Sequence, residues 1–247
     1  MRRLWPDPAE LDDVAALVAG EARPAPDGRP WVLVNMIASL DGAISIAERS
    51  GGLGGPADKA MFSALRGVAD VILVGAGTAR AERYGPARPS EATRRARRER
   101  GQPEVPRIAL VTRSLDLDLS TPLFTEAERP SILITCASAD VDRQAAAAKV
   151  AELIVVGDDA VDLGAALTAL RGSETEVVCC EGGPSLNGDL VAADLIDEWA
   201  LTLSPLLVGG DAGRSSRGLH PVDPSTMRLD RLLESDDFLL GRWLRAR

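Results

Sequence analysis

Residues 181–186, Glu181-Gly182-Gly183-Pro184-Ser185-Leu186, form a glycine-rich segment that could bind an anion. The apolar run 176–180 before it predicts a buried strand, and residues 186–193 after it have helical spacing. A strand, glycines and a helix start together present several backbone N–H groups to an anion. Glycine lets the backbone approach a ligand without a Cβ in the way. We therefore expect a phosphate site here, most simply for the pyrophosphate of a dinucleotide. The alternative is a tight turn that binds nothing.

A second segment places polar residues after another apolar strand. The predicted strand 31–37 leads into Ser39, Asp41 and Gly42. In open α/β sheets, ligands bind beyond the carboxyl ends of the strands, so Asp41 could be a carboxylate near a reacting centre. Taken alone, these residues favour a simple Asp-Gly turn.

A third segment follows the predicted strand 70–75. Gly75 and Gly77 precede Thr78, which could begin a helix and hydrogen-bond a cofactor, and Glu82 lies one helical turn further on the same face. A lone Gly-x-Gly is weak evidence, but its position directly after a strand raises its value. Three such strand ends are hard to explain as separate turns. Their convergence on one nucleotide-binding crevice is the simpler hypothesis.

The elements that would position these segments alternate along the chain. Strands are predicted at 31–37, 70–75, 106–112, 131–135, 152–157 and 177–180, and helices at 9–19, 56–68, 140–150 and 163–170, with a helical turn at 78–82. Continuous Val/Ile/Leu strands are typical of a sheet covered on both faces, and such sheets are mostly parallel.

Three later extended segments, 196–203, 228–234 and 238–245, could add an antiparallel edge to this sheet. The predicted fold class is therefore α/β, with a mostly parallel central sheet, helices on both faces and an antiparallel C-terminal edge. We expect a single domain over 1–247, in which residues 1–29 form a lead-in to the core 30–247.

Composition narrows the classes of function. The net charge of −9 argues against a general nucleic-acid binder. No apolar run reaches the roughly 20 residues that span a bilayer, and the N-terminus lacks a signal-peptide apolar region, so we expect a cytoplasmic protein. The three cysteines are interpreted as buried free thiols. A single histidine, His220, weakens Ser-His-Asp hydrolysis and histidine-rich metal sites as models, and no metal site is predicted.

The segment 90–100 is rich in arginine. One interpretation is a cluster that binds a substrate or cofactor phosphate. The favoured interpretation is a solvated or mobile helix or loop, because nothing in the sequence anchors the segment to the core.

Four motifs together resemble the reductase domain of bacterial riboflavin biosynthesis, whose fold is similar to that of dihydrofolate reductase. They are Ser39-Leu40-Asp41-Gly42, Val74-Gly75-Ala76-Gly77-Thr78, Val111-Thr112-Arg113-Ser114 and Glu181-Gly182-Gly183-Pro184-Ser185-Leu186. The likeness spans roughly residues 30–245 and is closest to stand-alone actinobacterial pyrimidine-reductase-like proteins. The chain has no H-x-E and P-C-x-x-C pair of a zinc deaminase. The resemblance implies NADPH-dependent reduction of a pyrimidine ribosylamino phosphate, such as 5-amino-6-(5-phosphoribosylamino)uracil, to the ribitylamino compound.

The resemblance also implies roles for single residues. The implied substrate-binding residues are Asn35, Ser39, Ser50, Arg66 (a phosphate partner) and Glu181, and the implied cofactor-binding residues are Gly75, Gly77, Thr78, Glu82, Val111, Ser114, Gly182, Gly183, Pro184, Ser185 and Leu186. Asp41 is the candidate for organising proton delivery in the catalytic step. Glu82 stands where the family more usually has aspartate, and Gly52 replaces a larger residue.

Several alternatives stay open. A pterin reductase of the same fold would use Asp41 or Glu181 to bind the pterin ring, and a non-catalytic protein would bind NADPH without turnover. Arg66 and the basic segment mildly favour a phosphorylated substrate. Candidates for a contact with the 2′-phosphate of NADPH are Arg80, Arg83 and Arg113. We expect a homodimer, as the family usually forms one and because the C-terminal extended segments would otherwise expose a sheet edge.

Overall fold

The computed structural model describes residues 1–218 and 223–246, so His220 lies outside the described residues. The strands are β1 (Arg2–Trp5), β2 (Ala9–Glu10), β3 (Trp31–Ser39), β4 (Val71–Gly75), β5 (Arg107–Val111), β6 (Ile132–Thr135), β7 (Glu152–Val155), β8 (Val177–Cys180), β9 (Glu198–Ser204), β10 (Met227–Ser235) and β11 (Phe238–Arg245). The helices are α1 (Val14–Gly20), α2 (Pro56–Val68), α3 (Ala76–Ala81), α4 (Glu91–Glu99), α5 (Pro122–Thr125), α6 (Val141–Ala147), α7 (Leu163–Gly172) and α8 (Pro184–Ala192).

The described strands form one sheet in the order β2-β1-β10-β11-β9-β3-β8-β4-β5-β6-β7. From β9 to β7 every neighbouring pair is parallel. From β2 to β9 every pair is antiparallel. The predicted α/β class, a mostly parallel sheet with an antiparallel C-terminal edge, is confirmed. Each predicted strand lies within two residues of its observed bounds.

The N-terminal segment differs from the prediction. Residues 9–10 form β2 and pair with β1, so the helix predicted at 9–19 is wrong in its first turn. The helix begins only at Val14, because the Asp13 side chain accepts a hydrogen bond from the N–H of Ala16 and caps it. Strand β1 in turn pairs with β10, which brings the N-terminus into the antiparallel edge.

Helices cover both faces of the sheet, and the strand alternation decides which residues meet them. Val34, Val178 and Cys180 pack with α7 and α8 on one face. Leu33 and Cys179 pack with α1 and α2 on the other. The adjacent cysteines therefore point to opposite faces, and all three cysteines are buried and free, as predicted.

Arginines of the basic segment hold the C-terminal end of α2. The last carbonyls of a helix have no intrahelical partner. Arg97, fully buried, donates to the carbonyls of Gly67 at 3.1 Å and Ala69 at 2.5 Å, and Arg100 donates to Gly67 at 2.7 Å. The expectation that nothing anchors 90–100 is wrong. The sequence alone could not indicate that an arginine of one helix would bind the end of another.

A buried carboxylate, Glu198 on β9, ties the antiparallel edge to the lead-in segment. Arg23 donates to it at 2.9 and 3.0 Å, Arg242 donates at 2.9 and 3.0 Å, and the indole N–H of Trp31 donates at 3.1 Å. Burial by itself raises the pKa of Glu198. The two guanidinium groups outweigh burial, so its pKa lies below the ordinary value.

Replacing Glu198 with Gln will lower the free energy of unfolding by about 2 kcal/mol at pH 7, because Arg23 and Arg242 lose the buried carboxylate that both contact and keep only their ion pairs with Glu21 and Asp230. The pKa of Glu198 is depressed in the folded state. Its contribution is therefore present above the pKa of the unfolded carboxyl and is lost as the pH falls through the folded pKa, so the difference between variant and wild type will shrink in acid. Denaturant unfolding measures both effects.

The matched control is Glu152→Gln, which removes a strand glutamate that pairs with Arg107 at 2.6 Å but is 43% exposed. A surface pair of this kind contributes at most about 1 kcal/mol. Equal losses in the two variants would contradict the role assigned to Glu198.

Candidate active site

A cavity of about 920 Å³ opens at the carboxyl ends of β4, β5 and β8. Its walls include three segments that the sequence singled out, namely 75–78, 111–114 and 183–186. Its remaining lining residues are Arg80, the segment 160–164, Asp189, Ala192 and Ala193. This is the end of a parallel sheet at which ligands of α/β proteins bind, and the volume suits a large organic ligand.

Two strand-to-helix turns pack against each other on one wall. The N–H of Gly75 donates to the carbonyl of Gly182 at 2.7 Å. A Cβ on Gly183 would lie 2.3 Å from Oγ1 of Thr78, so only glycine fits there. Gly182 has a φ of +83°, which favours glycine as well. The two turns place the starts of α3 and α8 side by side.

Both helix starts leave backbone N–H groups available to the cavity. Gly75 precedes α3 and Gly183 precedes α8, and no side chain of residues 1–218 or 223–246 caps either helix. Ser185 and Leu186 line the cavity within the first turn of α8. Unpaired N–H groups and the positive end of the helix dipole favour an anion at this position.

A polar cluster stands beside this wall. Nε and Nη2 of Arg66 donate to the two carboxylate oxygens of Glu181, each at 2.6 Å, and the Tyr84 hydroxyl donates to Oε2 of Glu181 at 2.6 Å. The Arg66 guanidinium lies over the Phe62 ring, 4.2 Å from its centroid. The Glu181 side chain is only 3% exposed, whereas that of Arg66 is 25% exposed. Arg66 and Glu181, both expected to bind substrate, therefore lie in direct contact.

The protonation states in this cluster follow from burial and charge. Burial, and next the charge of Glu181, raise the pKa of Tyr84, so the phenol keeps its proton and donates it. Burial by itself lowers the pKa of Arg66, but the hydrogen bonds and the charge of Glu181 outweigh it, and the pKa rises. Sequence reasoning missed Tyr84. Its position two residues after Glu82, as the chain's single tyrosine, was the available signal.

Glu82 contacts a loop rather than the cavity. Its Oε1 accepts hydrogen bonds from the N–H of Ser50 at 2.7 Å and the hydroxyl of Ser50 at 3.0 Å. The glutamate side chain thus spans the gap between the end of α3 and the loop after β3. A Cβ on Gly52, in the same loop, would lie 3.4 Å from the side chain of Ile46.

Asp41 lies at the end of β3, away from the residues that line the cavity. It accepts hydrogen bonds from Ser39, from the N–H of Val208 at 3.2 Å and from the N–H of Gly209 at 2.6 Å. These contacts, led by the one from Ser39, lower the pKa of Asp41 to about 2. The carboxylate is therefore ionised near neutral pH, and it joins the turn after β3 to the segment after β9.

The other predicted residues differ in whether they line the cavity. Val111, Ser114, Arg80 and Arg113 line the cavity, and Arg83 is not among its lining residues. Asn35 is half-buried within β3, in register with Ala200 of β9.

The segment 160–164 was missed in the sequence. It follows Gly157, whose φ is +82° and at which a Cβ would lie 2.2 Å from the carbonyl oxygen of Ala160. A glycine at the end of the predicted strand 152–157 was the signal that could have identified this tight turn.

Within residues 1–218 and 223–246, no group of three His, Cys, Asp or Glu side chains is placed to hold a metal ion. None of the helices there is long and apolar enough to cross a membrane.

The sheet and its glycine-lined cavity define an α/β protein with a ligand cavity at the carboxyl ends of its parallel strands. The chain belongs to the RibD C-terminal domain family, whose model matches residues 30–237. This family and its dihydrofolate reductase-like fold were expected from the sequence, and both are confirmed.

Two curated relatives carry the name 2,5-diamino-6-ribosylamino-4(3H)-pyrimidinone 5′-phosphate reductase. The one from Methanothermobacter thermautotrophicus is 29% identical over 187 residues, covering 76% of this chain and 83% of the relative. The one from Aquifex aeolicus is 30% identical over 195 residues, covering 74% and 80%. A crystal structure of a pyrimidine reductase-like protein from Corynebacterium diphtheriae superposes with a TM-score of 0.84 at 26% identity, covering 95% of this chain and 99% of that one.

Replacing Gly183 with Ala will destabilise the protein by about 1–3 kcal/mol more in the wild-type background than in a Thr78→Ala background, because the added Cβ meets Oγ1 of Thr78. Thermal and denaturant unfolding of the four proteins in this cycle measures the coupling.

The control is Gly77→Ala, since a Cβ on Gly77 has no neighbour within 4 Å and the residue lies in α3. That variant will be as stable as wild type or more stable by up to about 1 kcal/mol. Additive effects of Gly183→Ala and Thr78→Ala would show that the two turns do not pack as described.

Proposed function

We propose that the protein is an oxidoreductase that uses NADPH to reduce a phosphorylated ribosylaminopyrimidine to its ribitylamino counterpart in riboflavin biosynthesis. Membership of the RibD C-terminal domain family and the names of the two reductase relatives support this. The observation that carries the proposal is the packing of the turns at Gly75 and Gly183 around one cavity, next to the Arg66–Glu181–Tyr84 cluster.

The cavity suits a dinucleotide because the backbone N–H groups at its helix starts can donate hydrogen bonds to phosphate oxygens. The pyrophosphate would lie against the backbone N–H groups of Gly183, Ser185 and Leu186, at the start of α8. The adenosine end would extend towards 111–114 and 160–164, which line the cavity further along the sheet. Arg80 and Arg113 are the cationic side chains in its lining, and we propose them as partners of the 2′-phosphate. NADPH, when bound, supplies the hydride.

The substrate would bind beside the Arg66–Glu181–Tyr84 cluster. Glu181 engages Nε and Nη2 of Arg66, so a substrate phosphate would meet the Nη1 edge of the guanidinium. The Tyr84 hydroxyl and the Arg66 pair fix the Glu181 carboxylate, which would orient the ribosyl chain. Correct placement of the reacting carbon against the cofactor can lower the barrier by about 7 kcal/mol.

The role of Asp41 is limited by its ionisation. With a pKa of about 2 it carries no proton to donate at neutral pH. We propose that it organises proton delivery indirectly, by holding Ser39 and the N–H groups of Val208 and Gly209. The homodimer and the cytoplasmic location stay predictions.

NADPH mixed with the protein and a phosphorylated ribosylaminopyrimidine will be consumed, as absorbance near 340 nm will report. A parallel panel of pterins tests the alternative substrate class. Consumption with pterins alone would favour the pterin reductase. NADPH binding without consumption on any of these compounds would indicate a non-catalytic nucleotide-binding protein.

Replacing Asp41 with Asn will slow single-turnover hydride transfer at least tenfold, because an amide cannot accept from Ser39 and both backbone N–H groups as the carboxylate does. The matched control is Asp118→Asn, which alters an exposed carboxylate bound to Ser120 in a turn away from the cavity. A rate for Asp41→Asn within a few-fold of wild type would remove Asp41 from the chemical step.

A further inference from the structure

A second cavity, of about 500 Å³, lies at the amino ends of β5, β6 and β7, which is the opposite end of the sheet from the larger cavity. Neither the sequence motifs nor the proposed reaction uses it. Its charged lining residues are Arg107, Arg129, Lys149 and Glu152, and its apolar ones are Pro130, Ala148, Val150 and Ala151. We call it the basic cavity, because three cations against one carboxylate leave it positive in a protein whose net charge is −9.

Arg107, the first residue of β5, is held in place at the wall of the basic cavity. Its Nε donates to the carbonyl of Pro130 at 2.8 Å, and its Nη1 donates to Glu152 at 2.6 Å. The side chain is only 13% exposed. In the described part of the chain, nothing accepts a hydrogen bond from Nη2. The guanidinium is therefore fixed before a ligand arrives and keeps a donor for it, which lowers the entropic cost of binding.

The other two cations of the basic cavity have no counter-charge of their own. Nη1 of Arg129 donates to the carbonyl of Val105 at 3.1 Å, and its Nε and Nη2 have no acceptor within residues 1–218 and 223–246. Over the same ranges Lys149, an exposed residue, forms no ion pair. Burial, and next the charge of Arg107, lower the pKa of Arg129. The two guanidinium groups repel each other, and an anion bound between them would offset this repulsion.

The charge and the size of the basic cavity indicate the class of ligand. A phosphomonoester carries a charge of about −1.5 to −2 at pH 7 and three acceptor oxygens, which suits a lining with two cations in excess. Arginine forks match phosphate oxygens in pairs. A volume of about 500 Å³ exceeds that of a phosphate group and falls in the range of small-molecule sites. The remaining space adjoins Pro130, Ala151 and Val150, which is 37% exposed, so an apolar organic group fits there.

We propose that the basic cavity is a second ligand site, which binds a small phosphomonoester between Arg107, Arg129 and Lys149. The phosphate accepts hydrogen bonds from the free donors of the two arginines, and the organic group packs on the apolar lining. The two cavities share no lining residue, so this site does not depend on the proposed function. Arg107 begins β5 and Val111 ends it beside the larger cavity, about 13 Å away along the strand, so both ligands can be bound at once.

Isothermal titration calorimetry with phenyl phosphate and with inorganic phosphate tests the proposal. Phenyl phosphate will bind the wild-type protein about tenfold more tightly than inorganic phosphate, because its ring buries apolar surface that the free anion lacks. Saturation of the protein with NADPH will leave the affinity for phenyl phosphate unchanged, because NADPH and the larger cavity lie at the other end of the sheet.

Substitutions in the basic cavity will change this affinity in opposite directions. Arg129→Gln will lower it by about 10- to 100-fold, the size expected for hydrogen bonds to a charged group. Lys149→Gln, at an exposed position, removes a cation without altering the fold and will also lower it. Glu152→Gln will raise it several-fold, because the change removes the competing carboxylate and frees Nη1 of Arg107.

Two controls locate the bound probe. Arg95→Gln removes the same charge from an exposed arginine of α4 that lies 3.8 Å from Glu99 and lines neither cavity. Arg66→Gln removes the arginine that we propose as the partner of the substrate phosphate. Both variants will bind phenyl phosphate as the wild type does. Thermal unfolding of each variant verifies the fold, and if Arg129→Gln does not fold, Lys149→Gln and Glu152→Gln decide the question.

Four outcomes would overturn the proposal. The first is that neither probe binds at millimolar concentration. The second is that NADPH displaces phenyl phosphate, or that Arg66→Gln abolishes its binding, which would place the probe at the site already described. The third is an equal loss of affinity in Arg129→Gln and Arg95→Gln, which would indicate attraction by the overall charge alone. The fourth is equal affinity for both probes, which would replace the phosphomonoester by free phosphate.

Discussion

The close contact between two strand-to-helix turns is the constraint on which the site depends. The N–H of Gly75 donates to the carbonyl of Gly182, and Gly183 lies so near Thr78 that no larger residue fits. This contact extends the parallel pairing of β4 and β8 past the end of β8, since the N–H of Glu181 also donates to the carbonyl of Leu73 at 2.9 Å. Two helices therefore begin at neighbouring points, and their free N–H groups and dipoles favour an anion at the same place.

The carboxyl end of β8 also positions the Arg66–Glu181–Tyr84 cluster. Side chains alternate along β8, so Cys180 enters one face of the sheet and Glu181 turns towards the other, where α2 carries Arg66. The backbone after Glu181 lines the cavity while its carboxylate is held by Arg66 and Tyr84. The position of α2 is fixed in turn by Arg97 at its C-terminal end. The turn after β8 therefore contributes both to the cavity and to the Arg66–Glu181–Tyr84 cluster. A hydride donor and its acceptor could bind next to each other at this turn.

Local sequence patterns were sufficient to predict the helix bounds and turns that are determined by neighbouring residues. The bounds of α2 follow from Pro56 at its first position and from its apolar spacing, and glycines after apolar runs identified the walls of the cavity. Contacts between distant residues were not predictable in this way. The pairing of β1 with β10 and the hydrogen bonds from Arg97 to the end of α2 join segments far apart in the chain. Tyr84 was missed for the same reason, because its partner Glu181 becomes its neighbour only when the sheet forms.

A crystal structure of the protein soaked with NADPH tests the central claim most directly. The account predicts that the pyrophosphate lies against the N–H groups of Gly183, Ser185 and Leu186, with the adenosine end along 111–114 and the nicotinamide on the side of Glu181. Density for NADPH elsewhere on the molecule, or no density in this cavity at a concentration that saturates binding in solution, would contradict it.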